Sequence, residues 1–200
     1  QEWLQQWYVS ACRVGITNMI VVVTDESAYR DVASMIGDRA ILFSTIAPLL
    51  DSARWSRLGL NGEVSNKAFN WRSIGYERVV TQRATILKAL VSKTRLNILY
   101  ADTDIHWLQN PLLSLTENYA KYHVCVQRER GDELGDYNCS GFMFLRYSEL
   151  TELFLSTWEQ YIKRRLKRKG FFTDQEELNI LLRDMQSKHR GTELPSELQN

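Results

Sequence analysis

The sequence predicts an α/β fold, with a mixed sheet flanked by helices. Two observations carry that expectation. Apolar runs of strand length alternate with longer segments of helical periodicity, the pattern left when strands are connected through helices. The chain is also 200 residues long with 44% hydrophobic and 24% charged content, which suits one domain with a substantial core.

The elements follow in order. Residues 19–23 read as a buried strand, and Thr24-Asp25-Glu26 as a polar turn into a helix capped by Asp25 or Ser27. Residues 39–44 form a second apolar run with strand character. Residues 47–72 carry Gly59, Asn61 and Gly62 with weak periodicity, and read as loop with short helices. Residues 76–94 place Val79, Val80, Ile86, Leu87, Leu90 and Val91 on one helical face. "LNILYADTDIHWLQNP" opens as a strand and ends in acids. Residues 122–129 and 139–148 are two further strands, the second holding Gly141, and a glycine there marks close approach of another backbone or a ligand. A long amphipathic helix follows from Glu149. The last helix starts at "TDQEELN", capped by Thr173 or Asp174.

Composition narrows the function. A formal net charge of +1 provides no global field for nucleic acid or for an anionic membrane. The one dense basic run, "IKRRLKRKG", ends a helical segment, where cations suit the helix dipole. Cys12, Cys125 and Cys139 form no C-x-x-C pair, and the odd count leaves at least one thiol free. No run is long and apolar enough to span a membrane, and no signal peptide is visible. Because Gln1 is not an initiator methionine, the expectation is a partial chain that lacks its targeting segments.

Four stretches carry chemistry. In an extended strand Asp102 and Asp104 face the same side, so their like charges repel. A divalent ion removes that repulsion, and oxygen-only ligands suit Mg²⁺ or Mn²⁺ over Zn²⁺. His106 is either a third ligand or a surface histidine. Thr24 and Asp25 sit at the carboxyl end of the first strand, where open α/β sheets bind ligands. There Asp25 either accepts hydrogen bonds from a nucleobase or ribose, or caps the next helix. Asn138 and Ser140 are polar groups beside Gly141; N-x-[ST] glycosylation of Asn138 is set aside because the residues that follow look buried. Asp174 and Gln175 stand at a helix start. Dinucleotide and P-loop fingerprints are absent from the sequence.

Taken in order, Arg83 with Leu87 and Leu90, then "ILYADTDIHWLQNP", "NCSGFMFLR" and "TDQEELN" resemble the nucleotide-diphospho-sugar transferase family, retaining glycosyltransferases of GT-A fold that include plant xylosyl- and arabinosyltransferases. The resemblance spans about residues 19–184. It implies a single GT-A-like, Rossmann-like catalytic domain over residues 1–200, shortened at its C-terminus. By the same resemblance Asp102 contacts the donor ribose and the metal, and Asp104 chelates Mn²⁺ (or Mg²⁺). Thr24 and Asp25 hold the nucleoside, and Arg83 reaches the donor sugar or its phosphate. Asn138, Ser140 and Gly141 line the sugar pocket, Asp174 bonds sugar hydroxyls, and Gln175 lies near the anomeric carbon on the face opposite UDP. The partners implied are a UDP-sugar donor and a glycan or glycoprotein acceptor. The implied location is the Golgi lumen, reached through a membrane anchor that this chain does not contain. Family members continue to a histidine that completes the metal site, and neither His123 nor His189 has that context. The alternatives are a catalytically inactive member that binds nucleotide or glycan, a metal-dependent phosphohydrolase using Asp102 and Asp104, and a protein-interaction domain.

Overall fold

A computed structural model describes residues 2–24, 26–46, 76, 79–132, 135–168 and 170–191. Its elements in chain order are α1 (Glu2–Arg13), β1 (Val21–Val23), α2 (Glu26–Ile36), β2 (Ala40–Leu42), α3 (Phe43–Ile46), α4 (Arg83–Thr94), β3 (Ile98–Ala101), α5 (Leu112–Asn118), β4 (Val124–Asp132), β5 (Gly135–Leu145), α6 (Glu149–Arg165) and α7 (Asp174–Gly191). The fold is mixed α/β, as the alternation of patterns predicts. Its described strands fall into a parallel pair, β1-β2, and an antiparallel trio ordered β3-β5-β4. The chain divides into two compact units, one built from Gln1–Val79 with Asp102–Asn118 and the other from Val80–Ala101 with Tyr119–Asn200. The loop expected over residues 47–72 lies outside the described residues.

The first unit is organised around the parallel pair. β1 is three consecutive β-branched valines, and Val21, Val22 and Val23 pair with Ala40, Ile41 and Leu42. α2 links the two strands and buries Val32 and Ile36 against Val23 and Ala40. It starts at Glu26, an acid suited to the positive end of a helix, so Ser27 lies inside the helix and is not its cap. α1 was not assigned in the sequence, although Trp3, Leu4, Trp7, Tyr8 and Ala11 have helical spacing. It ends in a Schellman motif. Gly15, at φ 79°, sends its N–H to the Cys12 carbonyl at 3.0 Å, and the Ile16 N–H reaches the Ala11 carbonyl at 2.9 Å. Buried Ser10 accepts the Trp107 N–H at 3.1 Å, and the Trp7 and Trp107 rings meet edge to face with centroids 6.2 Å apart.

In the second unit α4, α6 and α7 pack with the antiparallel sheet. Its core holds Leu87 and Val91 from α4, Met143 and Leu145 from β5, and Leu155 and Trp158 from α6. α6 is capped by Ser148, whose hydroxyl accepts the Thr151 N–H at 3.2 Å. Its last turn carries Lys163, Arg164 and Arg165, as the dipole reading of the basic run expects. On its buried side Glu159 meets the ammonium groups of Lys88 and Lys163. Burial would raise the Glu159 carboxyl, but these two cations outweigh it and hold its pKa below the usual value.

β5 is not regular. Val126 of β4 pairs with Met143, yet the next residue, Gln127, pairs with Cys139, so Ser140, Gly141 and Phe142 face no β4 partner. A second slip leaves Glu129 of β4 unpaired, because Arg128 pairs with Asn138 and Arg130 with Tyr137. Bulges of this kind re-aim side chains. The three cysteines are all free thiols. No helix among the described residues is long and apolar enough to cross a membrane.

Candidate functional site

The described polar cluster of the second unit forms where the bulged β4-β5 ribbon meets the start of α7. Three local choices in the sequence build it.

The first is the cap of α7. Thr173 and Glu176 form a capping box: the Thr173 hydroxyl accepts the Glu176 N–H at 3.2 Å, and the Glu176 carboxylate accepts the Thr173 N–H at 3.3 Å. Thr173 is therefore the cap, which leaves the Asp174 side chain for another partner. That carboxylate sits in the first helical turn, in the favourable field of the helix N-terminus. It is nearly buried, at 2% residue exposure. The Asp174 carbonyl accepts the Trp158 indole N–H at 3.0 Å, which ties the start of α7 to the core.

The second is Arg83. It opens α4, where a cation faces the unfavourable end of the dipole. Asp174 compensates it: Arg83 Nη1 donates to Asp174 Oδ2 at 2.9 Å, with side-chain exposures of 12% and 3%. The same nitrogen donates to the Ser140 hydroxyl. The guanidinium lies 5.1 Å from the centroid of the Tyr100 ring on β3, within cation–π range.

The third is the pair of bulges, each of which sends one unpaired residue, Ser140 or Glu129, to Gln175. The Gln175 carbonyl oxygen accepts the Ser140 N–H at 3.0 Å and lies 3.4 Å from the Ser140 hydroxyl, while its amide nitrogen donates to Glu129 Oε2 at 2.8 Å. Gln175 is thus held at both ends of its amide. One turn further along α7, buried Asn179 accepts the Asn138 N–H at 2.8 Å and donates to the Asn138 and Gln175 carbonyls, each at 2.8 Å. The Gly141 N–H donates to Cys139 Sγ at 3.3 Å within the bulge. Ser140 is 2% exposed and Gly141 is buried, in keeping with setting glycosylation aside.

The fold therefore brings together Arg83, Asn138, Ser140, Asp174 and Gln175, with Gly141 adjoining Ser140 in the same bulge. Sequence reasoning missed Asn179, Glu129 and Tyr100. Asn179 left a signal, an amide on the α7 face that also carries buried Leu178. Glu129 left none, because its role depends on where the ribbon slips.

Thr24, Asp102 and Asp104 belong to the first unit. Thr24 is half-buried just beyond β1, at the strand end expected for it, and Asp25 lies outside the described residues. The strand reading of the two acids needs correction. β3 stops at Ala101, which pairs with Phe142; Asp102 is irregular and Asp104 lies in a turn. The alternation of a strand does not set their directions. Asp102 is half-buried, Asp104 exposed and His106 exposed. No cluster of three or more histidine, cysteine or acidic side chains able to hold a metal occurs among the described residues. The oxygen-only donors that Asp102 and Asp104 offer fit a hard ion that takes its remaining ligands from substrate phosphates.

These elements and this cluster belong to an α/β protein whose polar groups are set on helix starts and on the irregularities of its strands. A family model described as nucleotide-diphospho-sugar transferase matches residues 14–197. The chain belongs to that family, and it is a transferase-type protein whose substrates are nucleotide-sugars. Searches of curated proteins and of solved structures give no match.

Proposed function

We propose that this chain is the catalytic domain of a retaining, divalent-metal-dependent glycosyltransferase, one that moves a pentose or hexose from a UDP-sugar to a glycan or glycoprotein. The observation that carries the reading furthest is the fixed Arg83–Ser140–Asp174–Gln175 cluster within a chain of this family.

Each residue has a role suited to its chemistry. The Arg83 guanidinium offers its fork to the donor sugar or phosphate. Asp174 accepts hydrogen bonds from sugar hydroxyls, and Asn138, Ser140 and Gly141 line the sugar pocket. Gln175, clamped by Ser140 and Glu129, lies near the anomeric carbon on the face away from UDP. Thr24 and Asp25 hold the nucleoside. Asp102 and Asp104 would hold Mn²⁺ or Mg²⁺, which supplies Lewis-acid stabilisation of the leaving diphosphate. In the reaction an acceptor hydroxyl oxygen bonds to the anomeric carbon on the face that the diphosphate leaves. The diphosphate departs with the bonding electron pair and takes up the hydroxyl proton. The protein's contribution is positioning and preorganised polarity. The setting proposed is the Golgi lumen.

A second reading, an inactive member that binds nucleotide without transfer, draws on the two-carboxylate ligand set. A thermal-shift panel of nucleotide-sugars with and without Mn²⁺ tests both. A ligand at a hundred times its Kd stabilises the fold by about 2.7 kcal/mol. Stabilisation by UDP-sugars only with Mn²⁺, together with sugar transfer, is expected. Stabilisation without transfer or hydrolysis selects the inactive reading, and no stabilisation by any nucleotide overturns both.

A further inference from the structure

A pocket of about 530 Å³ opens between the end of α6 and the outer face of α7. Its volume falls within the range of small-molecule sites. Its lining is unusual for a solvated helix end. Arg164, Arg165, Arg168 and Arg183 converge on it, with Tyr137 and Tyr161. Three carboxylates, Glu176, Glu177 and Asp184, complete its polar wall.

The carboxylates do not neutralise the arginines by close pairing. Arg165 Nε stands 3.7 Å from Glu177 Oε1, an ion pair beyond hydrogen-bond length. Asp184 instead accepts the Tyr161 hydroxyl at 2.6 Å. Arg164 lies 5.7 Å from the Tyr161 ring centroid and Arg165 5.6 Å from that of Phe172, so both guanidinium planes are braced by aromatic rings. Among the described residues the side chains of Arg168 and Arg183 make no hydrogen bond and no salt bridge within 4 Å, and Arg168 acts on Glu177 only through its charge at longer range. Glu177 is 5% exposed, and burial pushes its carboxyl up against the opposing pull of Arg165.

This set of groups matches one ligand chemistry. Forked guanidiniums recognise a planar or tetrahedral anion. Carboxylates and phenols bond hydroxyls, and ring and guanidinium faces stack on the apolar face of a sugar. A bare anion would use the arginines and be repelled by the acids, and a neutral sugar would leave the arginines idle. We infer that the pocket between α6 and α7 binds a saccharide bearing an anionic group, a carboxylate or a sulfate. The site also adjoins the candidate donor cluster: Tyr137 precedes Asn138 and its phenol interacts with Gln175, and Glu176 follows Gln175 in the chain. On the transferase reading, from which this part of the inference follows, acidic glycans are the acceptor class.

Calorimetric titration of the whole chain tests the pocket directly. The probes are a uronic-acid oligosaccharide, its carboxyl-reduced neutral counterpart, a sulfated oligosaccharide of equal length and inorganic phosphate. The acidic oligosaccharides, one or both, should bind at least about tenfold more tightly than the neutral one and than phosphate, a gap within reach of one charge-assisted hydrogen bond. The Arg168→Gln/Arg183→Gln variant should lose about tenfold or more of that affinity while its thermal melting matches the parent, and high salt should weaken binding in the parent. Equal binding of the neutral counterpart, equal binding of phosphate, or a folded variant with undiminished affinity would overturn the inference. UDP binding by the parent chain is measured alongside. Acidic-saccharide binding without UDP binding removes the donor reading and leaves the pocket standing; the reverse removes the pocket alone.

Discussion

Removing Arg83 is the sharpest probe of the cluster. Arg83→Met keeps the length and apolar stem and deletes the charge. It leaves Asp174, at 2% exposure, without its 2.9 Å cationic partner. Breaking a buried ion pair from one side costs about 3–5 kcal/mol. Here the field at the start of α7 still favours the carboxylate by up to about 1 kcal/mol, so the lower end, about 3 kcal/mol, is expected. That lowers the folded-to-unfolded ratio by roughly two orders of magnitude. Asp174→Asn leaves the more exposed Arg83 without its counter-ion and should cost less, about 1–2 kcal/mol, because a partly solvated guanidinium can turn to water. In the double variant neither charge is stranded, so the costs should fall short of their sum by about 1–2 kcal/mol. Urea unfolding of the four proteins, followed by circular dichroism at constant m-value, measures the cycle. A cost below about 1 kcal/mol for Arg83→Met, or strict additivity, would refute the claim that Asp174 is held as a buried carboxylate by Arg83.

Three further outcomes follow from the same geometry. Asn179→Ala removes the side chain that joins Asn138 to Gln175 and should cost about 1–2 kcal/mol by urea unfolding, since the half-buried Asn138 N–H and carbonyl lose these hydrogen bonds. Thr173→Ala breaks the capping box and should cost about 1 kcal/mol, with Thr173→Ser recovering most of it. His123 provides a pH test: burial first, and then the neighbouring Arg146, hold its pKa below the reference value of 6.5. The unfolded chain therefore takes up this proton before the folded one does. Stability should fall as pH drops from 6.5 toward the folded-state pKa, and His123→Gln should remove that part of the slope in urea-unfolding free energies.

How much of this was legible in the sequence depended on how local each cause is. The α7 start was legible because a capping box is a four-residue pattern, and the valine run of β1 was legible from side-chain shape. Asp174 could be singled out as an acid at a helix start, but Arg83 only through a resemblance, since their pairing joins residues 91 positions apart. The end of β3 was misjudged by a few residues. Apolar periodicity resumes at Ile105 and Trp107, but Trp107 belongs to the α1 contact through Ser10 and not to the strand. The two bulges had no local marker beyond Gly141, because register slips are decided by the partner strand. They nonetheless determine which residues meet Gln175. The pocket between α6 and α7 was visible only as a basic helix end, since its concavity depends on how α7 and Tyr137 of β5 pack beside that end.

Asp102 and Asp104 are proposed to hold the divalent ion that would stabilise the donor diphosphate. Calorimetric binding of UDP to the parent chain and to Asp104→Asn, each with and without Mn²⁺, tests it most directly. The account predicts that Mn²⁺ tightens UDP binding by the parent at least about tenfold, or about 1.4 kcal/mol, and that Asp104→Asn abolishes this gain while remaining folded. An equal Mn²⁺ gain in the folded variant would contradict it.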